Sequence, residues 1–152
     1  MKDILEECFQ TFGNSAKRVD ILPESFSESD LEDIYKERRD WIDTLEKNRE
    51  KSFTRIIVTP KDLSEYNYEI INNYKENMMF GERIYVISLS DYDNLLGDLI
   101  EMNYWIFDDS RVISIEKLGE NYVTKEVEEP RKYIDLFNNL FKNSNKFNVV
   151  EK

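Results

Sequence analysis

The sequence predicts a single α+β domain built on a mixed sheet of about five strands, packed with helices from both ends of the chain. Three observations carry this. Apolar residues recur at helical spacing up to about residue 50 and then switch to β-type runs. The segment 55–89 reads strand, helix, strand, a βαβ unit whose two strands are parallel neighbours in one sheet. From Tyr104 to Glu126, three short strands separated by tight turns read as an antiparallel meander. At 152 residues one domain has room for a real core, since a chain of this size buries roughly 70% of its unfolded surface.

Each element follows from local pattern. Met1 to about Phe12 reads as a short helix, and Gly13 to Ser27, rich in Ser, Asn, Gly and Pro, as a long connector. Leu31, Ile34, Tyr35, Arg38, Trp41, Ile42 and Leu45 then keep three- and four-residue intervals, with Ser29 and Glu32 as a capping box. Arg55-Ile56-Ile57-Val58 is a continuous β-branched run, the mark of a strand covered on both faces. Thr59-Pro60-Lys61-Asp62 reads as a helix start, followed by Leu63, Tyr66, Ile70, Ile71, Tyr74 and Met78 until Gly81 stops the helix. Arg83 to Leu89 is the next strand, and Asp91 to Met102 a turn or short helix. Tyr104–Asp108, Arg111–Lys117 and Tyr122–Glu126 form the meander, with turns at Asp108-Asp109-Ser110 and Gly119-Glu120-Asn121. Pro130 opens a last helix with Tyr133, Ile134, Phe137, Leu140 and Phe141 on one face. The expected division is a helical part at 1–50, a sheet-containing part at 53–142 and a loose polar tail at 143–152.

Charge and composition narrow the function classes. Thirty-two acidic against twenty-one basic residues leave a net charge of −11, which disfavours general nucleic-acid binding and anionic membrane and favours a protein partner with a neutral or basic surface. The single cysteine, Cys8, rules out an intramolecular disulfide and any cysteine-built zinc site. Flanked by Glu6 and Glu7, its thiolate is disfavoured. The acids within the first residues argue against a secretion signal, and no apolar run approaches the ~20 residues of a membrane span, so a cytoplasmic location is expected. The chain contains no histidine, which removes the usual partner of a serine or cysteine nucleophile.

The remaining candidates are carboxylates and aromatics. Asp108 and Asp109 are of a type to hold a cation or to divide into acid and base, but paired acids are also ordinary turn formers. A metal nuclease needs Glu-x-Lys on the second strand, whereas Glu116-Lys117 are adjacent and so point to opposite faces. Asp91-x-Asp93 with Gly97 and Glu101 fails as a calcium loop, because Leu95 and Leu96 occupy the positions that require an oxygen ligand and glycine. Tyr66 and Glu69 share a helical face, while Glu82 begins the following strand at the opposite sheet edge from Thr59; a salt bridge to Arg55, Arg83 or Arg111 is the ordinary role for Glu69 and Glu82. Trp41 and Trp105 read as core anchors. No catalytic residue, metal ligand or cofactor is assigned. The candidate ligand- or partner-binding residues are Tyr66, Glu69, Glu82, Trp105, Asp108, Asp109 and Arg111.

Several of these residues also carry a resemblance. Trp41, Arg55-Ile-Ile-Val58, Tyr66, Glu69, Asn77, Gly81-Glu-Arg-Ile84 and Trp105-Ile-Phe-Asp-Asp109 with Arg111 and Val112 make the stretch from about Trp41 to Phe141 resemble an uncharacterised family of bacterial proteins. That family is a domain of unknown function common in actinomycetes and often encoded near helix-turn-helix regulators. It implies a fold and a genomic habit, but no reaction. A more distant likeness is to degenerate phospholipase D-like sensor domains; the active enzymes of that superfamily use a histidine nucleophile, which is absent here.

The expected function is therefore a non-enzymatic cytoplasmic interaction or regulatory module, linked to a transcription regulator or mobile element. One alternative is a small-ligand sensor or carboxylate-dependent enzyme with Asp108, Asp109 and Arg111 at a crevice mouth. Another is an acidic inhibitor imitating nucleic acid, although Lys36, Arg38, Arg39, Lys47 and Arg49 interrupt the acids of the long helix.

Overall fold

The computed structural model describes residues 3–118 and 121–148, apart from the side chain of Lys117. The expected Gly119-Glu120 turn, the Lys117 side chain and the last four residues of the tail lie outside them. Helix α1 (Ile4–Thr11) is followed by β1 (Ser15–Ile21), α2 (Glu28–Lys47) and β2 (Ser52–Thr59). A short 3-10 turn at Leu63–Glu65 leads into α3 (Tyr68–Met79), β3 (Arg83–Ser88) and α4 (Leu89–Leu96). The meander β4 (Asn103–Phe107), β5 (Arg111–Leu118) and β6 (Asn121–Glu126) precedes α5 (Pro130–Lys142) and a two-residue β7 (Asn145–Lys146).

These strands form one mixed sheet in the order β6-β5-β4-β1-β2-β3-β7. β1, β2 and β3 are parallel, and the flanking pairs are antiparallel. The predicted βαβ unit and meander are both present, but the sheet has seven strands rather than about five. The additional central strand is β1, in the segment expected to be a connector. Its alternation of Val19 and Ile21 with Arg18 and Asp20 hides it, because a central strand is expected to be apolar on both sides. With β1 in place, α2 becomes the crossover of a second βαβ unit, and residues 1–50 are not wholly helical.

Smaller corrections follow from capping chemistry. The capping box of α2 joins Ser27 and Asp30, not Ser29 and Glu32, so the helix starts two residues earlier. Asp62 caps the 3-10 turn, its carboxylate accepting the Ser64 N–H, and the chain turns again before α3 begins at Tyr68; the Thr59-Pro60 segment therefore does not start the helix directly. In the tail, β7 adds to the β3 edge and Phe147 is buried, its N–H donating to Ile84 carbonyl oxygen at 2.9 Å, so residues 145–147 are not loose.

The sheet is covered on both faces. One face places Val19, Ile56, Val58 and Ile106 against α4 and α5. The other carries Ile57 and Ile84 beneath α3, and Phe53, Trp105 and Ile113 beneath α1 and Trp41 of α2. Between those two apolar zones the central strands present charged residues. No helix among the described residues is long and apolar enough to cross a membrane.

Candidate functional site

The β4–β5 hairpin places both aspartates in the left-handed region, each with φ of 53°, a conformation that aspartate tolerates better than most residues. Asp108 does not face solvent alone. Its Oδ2 accepts the Gly13 N–H at 2.7 Å, and its Oδ1 accepts those of Asn14 at 2.6 Å and Ser15 at 3.0 Å. Burial alone would raise its pKa, but these three donors hold the carboxyl below the usual range. The side chain is a clasp that fixes the α1–β1 turn. Asp109 instead pairs with Lys17 Nζ at 2.6 Å. Arg111 donates to both Glu126 oxygens, at 2.8 and 3.0 Å, a bidentate pair across β5 and β6. The three residues that would form the crevice of a carboxylate site are thus each engaged in a separate contact. Among the described residues no group of three or more histidine, cysteine or acidic side chains could hold a metal ion.

The charged belt on the sheet is more concentrated. Arg55, on β2 at 5% exposure, reaches Glu82 at 3.1 Å and Asp20 at 3.2 Å. Arg18 on β1 donates to Asp20 through Nε at 3.0 Å and Nη2 at 2.9 Å, and lies 4.4 Å from the Trp105 ring centre. Trp41 and Trp105 pack edge to face at 5.4 Å, and Tyr74 lies 5.2 Å beneath the Arg55 guanidinium. Burial opposes the charge on Arg55, yet the Glu82 and Asp20 carboxylates beside it keep it protonated. Burial pushes the Glu82 carboxyl up against the pull of Arg55, and pushes the Tyr74 phenol up to about 12. The expected Trp105 and Glu82 therefore meet here, and the partner of Glu82 is Arg55. Arg18 and Asp20 are not among the expected site residues, because they lie in the segment expected to be a connector; their alternation with Val19 and Ile21, which does not look like a central strand, is still the pattern of a half-buried one.

Tyr66 and Glu69 separate from this cluster. Tyr66 is buried, its hydroxyl donating to the Pro23 carbonyl at 2.6 Å, with Lys61 4.6 Å from its ring centre. Glu69 lies exposed at a groove between α2 and α3, a space of about 190 Å³. Leu31, Ile34 and Tyr35 form its α2 wall, and Tyr68, Asn72 and Asn73 its α3 wall. Tyr35 and Tyr68 are 55% and 70% exposed, and the Asn73 Oδ1 is buried with no hydrogen-bond partner among the described residues. Arg38, also in the wall, forms an ion pair with Glu76 that ties the helices together. Glu28 and Glu32 lie one turn before Leu31 and Tyr35 on the same helical rows and are exposed. The groove thus combines Leu31 and Ile34 with two exposed tyrosines, two asparagines and Arg38, and carboxylates flank it.

Fold and surface together define an α+β domain with a buried ionic belt and an open aromatic groove. The family model described as a domain of unknown function (DUF6879) matches residues 6–148, so the chain belongs to that family. No curated protein matches it.

Proposed function

We propose that this chain is a non-enzymatic interaction module that docks a basic segment of another protein, anchored by an apolar side chain, in the α2–α3 groove. The observation that carries this is the pair of exposed tyrosines, Tyr35 and Tyr68, across a groove lined by Leu31 and Ile34. Tyrosines of this kind supply large contact area at low entropic cost, which is why they are enriched at interface centres. The flanking Glu28, Glu32 and Glu69, together with the −11 net charge, favour a partner carrying lysine or arginine. The resemblance to bacterial proteins encoded near helix-turn-helix regulators supports a regulator as that partner, since DNA-binding proteins carry basic segments. The absence of histidine fits a phospholipase D-like scaffold put to binding rather than hydrolysis. A ligand or catalytic role at the hairpin has less support, given the contacts that occupy Asp108, Asp109 and Arg111.

A displayed peptide library selected on the wild-type protein tests the proposal. The expected result is enrichment of basic peptides with one or two large apolar residues, whose affinity falls by about tenfold or more in Tyr35→Ala/Tyr68→Ala, in line with the loss of aromatic anchors. Peptides that bind the folded double variant as tightly as the wild type would place the docking surface elsewhere.

A further inference from the structure

The two edges of the sheet are unlike. β3 is covered at one end by β7, whereas β6 pairs with β5 alone among the described residues and forms the other edge over its full length. In the β5–β6 ladder Val127 N–H donates inward to the Val112 carbonyl, and antiparallel alternation then directs Asn121, Val123 and Lys125 inward and Thr124 and Glu126 outward. β6 has no proline, and Leu118 and Val123, 54% and 45% exposed, lie at the far end of the face on which Val112 packs against α5. An unpaired edge with exposed apolar residues is a template for strand addition.

We infer that β6 is a self-association edge, at which a second copy of this chain pairs antiparallel across a two-fold axis at Thr124. Backbone geometry restricts the register, because outward-facing residues must meet outward-facing residues. The register that pairs every outward-facing residue of β6 sets Thr124 against Thr124 of the second copy, Val123 against Lys125 of the second copy, and Tyr122 against Glu126 of the second copy. No like charges stand directly opposite, and threonine pairs and mixed pairs of this type favour a ladder. Sliding by one step in one direction would oppose the two Lys125 side chains. The contact is isologous and closes, giving one continuous sheet of fourteen strands from two copies of seven. An axis perpendicular to the sheet also sets both α2–α3 grooves on the same face, so the pair would present two docking sites to a symmetric partner.

Electrostatics oppose this pairing in a measurable way. Each copy carries −11, and Asp3, which accepts the Thr124 hydroxyl proton, stands beside the axis. Association therefore strengthens as salt rises and screening shortens the range of repulsion. A six-residue edge falls short of a standard interface of roughly 1,200 Å², so the midpoint belongs at micromolar concentrations or above.

Sedimentation equilibrium of the full chain at about 0.05 M and 0.5 M salt tests this. The expected result is a mass rising with concentration from 18.3 kDa towards twice that value, more steeply at high salt. Thr124→Pro, which removes an outward N–H, should remain monomeric while keeping the wild-type circular dichroism. Thr124→Cys should form a disulfide-linked dimer under mild oxidation, while buried Cys8 leaves the wild type unlinked. A monomer at every concentration and salt, with Thr124→Cys uncrosslinked, overturns the inference; so does a dimer that a folded Thr124→Pro variant retains.

Discussion

At the scale of single residues, the consequential choice is a pair of arginines on adjacent central strands. Arg55 is surrounded by Glu82, Asp20 and Tyr74 rather than by solvent, so its charge survives only because its partners are held in place. Removing one member of a buried pair strands the other, at a cost of about 3–5 kcal/mol, whereas replacing both by apolar residues is often neutral. Arg55→Met is thus expected to lower the unfolding free energy in urea by that amount, and Arg55→Met/Glu82→Leu to recover a substantial part. Equal losses in the two variants would mean that Glu82 is not the group stranded. Asp108 makes the opposite kind of contact, accepting three backbone N–H groups near the surface. Its pKa is lower in the folded than in the unfolded state, so its contribution is present above the unfolded value and is lost as pH falls through the folded one. Asp108→Asn, which sets an amide donor against donors, should cost about 1–2 kcal/mol near neutral pH after discounting for partial exposure. Urea titrations at descending pH should find that difference closing below about pH 4.

Among the elements, α2 is the one whose local signals and tertiary packing diverge. Its apolar stripe was legible, and the helix is where the 3.6-residue period placed it, but among its residues only Leu45 is fully buried because the sheet beneath it is partly ionic. Two serine-based boxes compete at its start, and local sequence does not rank them; the structure selects Ser27, whose hydroxyl accepts the Asp30 N–H at 3.1 Å. Ser27→Ala should therefore destabilise the protein by about 1 kcal/mol, and Ser29→Ala by less than about 0.5 kcal/mol, on urea midpoints read at constant slope. The reverse order would return the helix start to Ser29. β1 is hidden for the related reason that its half-buried polar residues gain part of their partners from strands remote in sequence: Arg18 and Asp20 pair with each other, but Trp105 stacks on Arg18 and Arg55 completes Asp20. Strands β2 to β5 are legible because their apolar residues run continuously or alternate as burial requires, even where β2 carries Arg55, and β6 is legible from its β-branched and aromatic residues and its place after a turn.

Across the whole molecule, the aromatic and charged residues singled out in the sequence divide among places that only the sheet order defines. Trp105 and Glu82 share the belt because β1 and β2 stand between β4 and β3, whereas Glu69 belongs to the groove and the aspartates to the hairpin. The groove itself had no linear signature, since its walls come from helices separated by an entire strand. Closure of the sheet at β3 depends equally on distant sequence. A polar tail after Asn143 reads as loose, but Phe147 at 6% exposure inserts beside Tyr74, with ring centres 5.9 Å apart, and its backbone continues the ladder to Ile84. Tyr74 in turn packs on Arg55, so the last strand supports the ionic belt from outside. A Phe-to-Ala truncation in such a site costs about 3–5 kcal/mol, a large share of the 5–15 kcal/mol that holds a domain of this size. Phe147→Ala should accordingly lower the melting temperature by roughly 10 °C, and Phe147→Leu by a smaller amount because it refills most of the space. A tail that only skims the surface would leave both variants melting with the wild type.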